Sequence, residues 1–118
     1  MTRRVLAVLA VTSLLTVSPA LAADGAKVFQ LQCKTCHGAK STPMGPSLAG
    51  VAGRKIAGLA DFKYSTGLTA KAGATWTDAN LDAYLAAPTK FAPGTRMMTG
   101  VVNPADRAAV VAYMKTLK

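Results

Sequence analysis

Five consecutive residues, Cys33-Lys34-Thr35-Cys36-His37, constrain this chain most, because they contain both of its cysteines and its single histidine. A Cys-x-x-Cys pair can serve disulfide exchange, metal binding or thioether attachment of a porphyrin. Zinc needs four ligands, or three plus water, and this chain offers two Cys and one His with no carboxylate nearby except the distant Asp61. A dithiol oxidoreductase carries its pair in an alternating strand and helix pattern that is missing here. A plain disulfide would close a loop too short to stabilise much. The adjacent His37 decides the matter: Cys33 and Cys36 can link covalently to one edge of a haem, and the next residue can put an imidazole nitrogen on its iron.

The N-terminus reads as an export signal. Arg3 and Arg4 precede an uncharged run from Val5 to Val17, and Pro19-Ala20-Leu21-Ala22 offers a small-x-small cleavage site. A run of that length is short for a membrane span, and no apolar stretch of about 18 residues occurs later. Residues 1–22 are therefore expected to be a signal peptide cleaved near Ala22, and residues 23–118 one domain. An exported, periplasmic location follows.

That division changes the composition argument. The whole chain is 51% hydrophobic with formal net charge +9, but residues 23–118 carry +7, and 19 of those 96 residues are alanine. Leu, Ile, Val and Phe together number only 17, a level at which a highly charged chain borders on disorder. Small domains short of core need a staple, and a bound haem would be one.

An all-α fold with three main helices and intervening loops is expected. The first helix runs from about Asp24, its N-cap, to Cys33. The second has Thr77 as N-cap, Asp78 in its first turn, Leu81, Tyr84 and Leu85 at helical spacing, and Pro88 as its end. The third opens with Asn103 as N-cap and Pro104, then carries Val110, Val111, Met114 and Leu117 to the chain end. Lys115 and Lys118 would sit at the negative end of its dipole. From Gly38 to Thr75, frequent Gly and Pro argue for compact loops.

With His37 on one side of the iron, no second histidine exists for the other, and methionine is the natural alternative. Met44 follows His37 by only seven residues, too few to carry the backbone comfortably round a ring edge. Met114 fits the apolar stripe of the third helix and reads as core. Met97 and Met98, in the loop after Pro93-Gly94-Thr95-Arg96, remain.

These residues, together with Gly45-Pro46-Ser47-Leu48-Ala49-Gly50-Val51-Ala52-Gly53-Arg54, Thr75-Trp76 and Tyr84-Leu85-Ala86-Ala87-Pro88, strongly resemble the class I cytochromes c over residues 24–118. The resemblance implies the small cytochrome c fold, wrapped around one covalently attached haem c. It selects Met97 as the second axial ligand and implies that the Pro46 carbonyl accepts from the free ring N–H of His37. It also implies that the Tyr84 hydroxyl approaches the methionine sulfur, and that Arg54, Tyr64, Trp76 and Thr95 bond the haem propionates. Gly25 and Phe29 would face Val110 and Tyr113 where the first and last helices cross. Gln32 and Thr89 stand where lysines are common in the mitochondrial members.

The function so implied is one-electron transfer, without enzymatic activity: a periplasmic shuttle of the respiratory chain. Its partners would be a quinol-cytochrome c reductase, a cytochrome oxidase or a dehydrogenase. The alternative is the electron-accepting haem subunit of a dehydrogenase for alcohols or sulfur compounds. The absence of an insertion favours the free, monomeric carrier. Excess positive charge would steer it to acidic faces of redox proteins. Nucleic acid is not expected, because no basic stripe with interleaved aromatics occurs.

Overall fold

The computed structural model describes residues 23–118, so the expected signal peptide lies outside the described residues. Five helices follow in order: α1 (Gly25–Gln32), α2 (Thr66–Thr69), α3 (Asp78–Ala86), α4 (Pro88–Phe91) and α5 (Pro104–Met114). Among the described residues β pairing is confined to two isolated bridges, Thr42 with Gly45 and Lys55 with Thr75. None of these helices is long and apolar enough to cross a membrane.

The three longer helices begin where their capping residues dictate. Asp24, Thr77 and Asn103 each accept backbone N–H groups of the first turn, Asn103 from both Ala105 and Asp106. Pro104 then occupies the first turn of α5, where a missing N–H costs nothing. The last helix is shorter than expected. It ends at Met114; Thr116 returns both its N–H and its hydroxyl to the Tyr113 carbonyl, and Leu117 gives its carbonyl to the N–H of Gly50. The final residues thus tie the chain end to a distant loop instead of adding a helical turn.

The two short helices were not expected. Ser65 caps α2 by accepting from Leu68, and Pro88 both stops α3 and sits in the first turn of α4. Four residues are too few to show a hydrophobic period, so neither helix leaves a pattern in the sequence.

The core lies where α1 crosses α5 and where α3 packs on α5 and α4. Val28, Leu81, Leu85, Val110 and Met114 are buried there. The crossing depends on Gly25: a Cβ at that position would lie 2.1 Å from the Ala109 carbonyl oxygen and 3.0 Å from the Tyr113 Cβ. Gly25 therefore faces Ala109 and Tyr113, one residue away from the expected Val110, which is itself fully buried. Beside it the Phe29 and Tyr113 rings meet with centroids 5.2 Å apart. On the outside, Arg107 joins the start of α5 to α3 through Asp82 at 2.6 Å, and its guanidinium also donates to the Val101 and Val102 carbonyls.

Candidate cofactor site

The helices and loops leave a cleft of about 580 Å³ between them, and Cys33, Cys36 and His37 all line it. The end of α1 delivers them. The chain turns immediately after Gln32, with the Cys36 and His37 N–H groups both donating to the Cys33 carbonyl. Both thiols are free. Burial pushes the Cys33 thiol up. Among the described residues no three His, Cys, Asp or Glu side chains gather as a metal cluster.

His37 is held in one orientation. Its Nδ1 lies 2.9 Å from the Pro46 carbonyl oxygen. A carbonyl can only accept, so Nδ1 carries the proton and Nε2 keeps its lone pair for a ligand. Gly45 makes the close approach possible: a Cβ there would lie 2.7 Å from the Cys36 carbonyl oxygen and 3.0 Å from the imidazole. The expected pairing of His37 with Pro46 is thus present in the geometry.

All four methionines of residues 23–118 line the same cleft, so position alone does not choose among them. Exposure does. Met44 and Met98 are 69% and 74% exposed at the mouth, and Met114 is packed into the core from α5. Met97 is partly buried against the core, and its backbone N–H donates to the Thr95 hydroxyl at 3.2 Å.

The walls differ in detail from expectation. The Tyr84 hydroxyl pairs with the Thr95 hydroxyl at 2.6 Å, and among the described residues it makes no hydrogen bond to the Met97 sulfur. Thr95 is buried and shared between Tyr84 and the Met97 N–H, so it positions the methionine loop. Trp76, Tyr84 and Phe91 form one aromatic block, with ring centroids 5.2 to 5.9 Å apart. The Tyr64 hydroxyl accepts from the Leu59 N–H at 3.2 Å while Tyr64 lines the cleft.

Arg54 brings positive charge to the cleft. Its two terminal nitrogens donate to the Ser47 and Ala49 carbonyls at 3.0 Å, but its Nε is buried without a partner. Arg54 lines the cleft. The guanidinium charge beside the cleft favours an anionic group there. The residues present therefore fit a flat, mostly apolar group bearing anionic arms, with a sulfur pair and an imidazole at one side.

The exposed residues that line the mouth, Gln32, Thr35, Pro43, Met44, Arg96, Met98 and Thr99, are uncharged apart from Arg96. The cations Lys34, Lys40, Lys90 and Arg96 are exposed, and Arg96 also lines the cleft. Arg96 donates to the Lys63 carbonyl and stands over the Phe62 ring, tying the methionine loop to the segment before α2.

This fold and site define a class I cytochrome c, and the cytochrome c family model matches residues 22–118. The chain belongs to that family. It is 48% identical over 98 residues to cytochrome c2 iso-2 of Magnetospirillum fulvum, a match covering 80% of this chain and 100% of that protein. It is 44% identical to cytochrome c2 iso-2 of Magnetospirillum molischianum, over 81% of this chain and 100% of that one. The ferricytochrome c2 structure from Rhodopseudomonas palustris superposes with a TM-score of 0.72 at 38% identity, covering 80% of this chain and 96% of that chain. The structure of cytochrome cH from Methylobacterium extorquens gives 0.70 at 40% identity, covering 78% and 94%. The chain is accordingly an electron carrier of cytochrome c type.

Proposed function

We propose that this chain, exported and cleaved near Ala22, works in the periplasm as a one-electron shuttle carrying one haem c. Cys33 and Cys36 would hold the ring by thioether bonds, and His37 through Nε2 and Met97 through sulfur would hold its iron. When bound, haem c supplies one-electron exchange between ferric and ferrous iron. The protein supplies everything else. The Pro46 carbonyl fixes the tautomer and orientation of His37. Thr95 and Tyr84 hold the methionine loop. Arg54 would offer its guanidinium charge to a propionate, and Tyr64 and Trp76 line the same cleft. With His37 and Met97 both holding the iron, no position would be left open for a substrate, which suits transfer of electrons and not chemistry on a bound molecule.

The observation that carries this reading is the meeting of Cys33, Cys36, His37, Arg54 and Met97 in one apolar cleft. The net charge of +7 on residues 23–118 favours acidic faces of redox partners, namely a quinol-oxidising complex or a dehydrogenase as donor and an oxidase as acceptor. The exported protein, purified from the periplasm, should show a low-spin haem spectrum, titrate reversibly with one electron and elute at the size of a monomer. Extraction of the pigment by acidic organic solvent would contradict covalent attachment. Elution with a larger polypeptide would instead support a dehydrogenase subunit.

A further inference from the structure

Three hydrogen bonds run in one direction away from His37. Its Nδ1–H donates to the Pro46 carbonyl at 2.9 Å. The N–H of the same peptide group, that of Ser47, donates to the Ser41 hydroxyl oxygen at 2.9 Å. The Ser41 hydroxyl in turn donates to the Asp61 carboxylate at 3.0 Å. Every donor points toward Asp61, and each acceptor belongs to the group that makes the next donation. Hydrogen bonds arranged head to tail polarise one another, and an ionised terminal acceptor strengthens the chain.

We propose that Ser41 and Asp61 are positioning residues that tune His37 as an iron ligand through the Pro46–Ser47 peptide. The carboxylate draws the Ser41 proton and so makes Ser41 a better acceptor. The Ser47 N–H is drawn outward, and electron density collects on the Pro46 oxygen. A more negative carbonyl oxygen strengthens the bond from Nδ1–H and leaves the imidazole a richer donor at Nε2. That stabilises ferric iron, so the intact chain lowers the reduction potential. Nothing in the chain order announces the connection: Ser41 and Asp61 lie 20 residues apart and meet only because the loops on either side of the 47–54 segment fold together.

The inference rests on His37 being the iron ligand, and the test separates the two. Holoprotein is prepared as wild type, Ser41→Ala, Ser41→Thr, Asp61→Asn and the Ser41→Ala/Asp61→Asn double variant. Midpoint potentials are measured at one ionic strength, and the His37 Nδ1–H resonance is recorded in the ferrous state. Ser41→Ala and Asp61→Asn should each shift the ferrous-to-ferric ratio at fixed ambient potential about threefold toward ferrous, about 28 mV at 59 mV per tenfold. Each should move the Nδ1–H resonance in the same sense. Ser41→Thr keeps the hydroxyl and should stay at the wild-type value. The double variant should shift no further than the larger single one, because both changes break one chain. A Ser41→Ala protein at the wild-type potential, or a double variant equal to the sum of the singles, would show a through-space charge effect and overturn the proposal. A wild-type protein without histidine ligation would overturn both readings.

Discussion

The hydroxyls of Tyr84 and Thr95 meet at 2.6 Å inside the wall of the cleft, and both residues are buried. Since Thr95 also accepts the Met97 N–H, the pair connects α3 to the methionine loop. Tyr84→Phe removes one member and keeps the ring against Trp76 and Phe91, so stability should fall by about 1 kcal/mol, the net worth of one such bond. Urea denaturation of the holoprotein checks this. The variant also tests a pH effect. Burial raises the Tyr84 phenol above its usual value of 10, with the Thr95 bond opposing that more weakly. In the folded protein the neutral form is therefore favoured: the stability it contributes is fully present below the unfolded value and is lost as pH rises through the folded one. Stability should decline above about pH 10 in wild type, and less steeply in Tyr84→Phe.

Gly25→Ala should be among the most damaging single changes. The new Cβ would meet backbone, the Ala109 carbonyl, and backbone cannot rotate aside as a side chain can. Forcing the helices apart should cost about 3 kcal/mol or more. Gly73→Ala is the matched control, because a Cβ there meets nothing within 4 Å. It should stay within about 0.5 kcal/mol of wild type in the same denaturation experiment.

Arg54→Lys keeps the charge but loses the fork that reaches the Ser47 and Ala49 carbonyls together. The holoprotein should lose about 1 to 3 kcal/mol in chemical denaturation, and Arg54→Met should lose at least as much. A wild-type midpoint in Arg54→Lys would mean that charge alone matters at this position.

Much of this is legible in the sequence. Asp24, Thr77 and Asn103 announce the starts of the long helices because a capping side chain is a local device, visible within four residues. His37 beside Cys36 announces the site for the same reason. What stayed hidden depends on contacts between distant segments. The α5 end is decided by Gly50 reaching the Leu117 carbonyl, and no pattern within residues 104–118 encodes that. Tyr84 turns to Thr95 because the loop after Pro93 brings a hydroxyl within reach, and spacing within α3 alone gives only a ring on the inner face. Ser41 and Asp61 belong to loops without periodicity, where side-chain pairing cannot be read from order.

The scarcity of large aliphatic residues also gains a physical meaning. Val51, Ile56, Leu81, Leu85, Val110 and Val111 are buried, yet the cleft among the elements stays about 580 Å³ in size. Without a group to fill it, the apolar walls would face water. A chain with Cys33→Ala and Cys36→Ala should therefore be largely unfolded by far-ultraviolet circular dichroism, whereas the holoprotein should be strongly helical.

The proposed iron ligands, His37 and Met97, can be tested directly. The far-red sulfur-to-iron charge-transfer band of the ferric protein reports a methionine ligand, and it can be recorded in wild type, Met97→Ala and Met98→Ala. The band should be present in wild type, vanish in Met97→Ala and persist in Met98→Ala, whose side chain is 74% exposed. A band that survives in Met97→Ala and disappears in Met98→Ala would contradict the assignment.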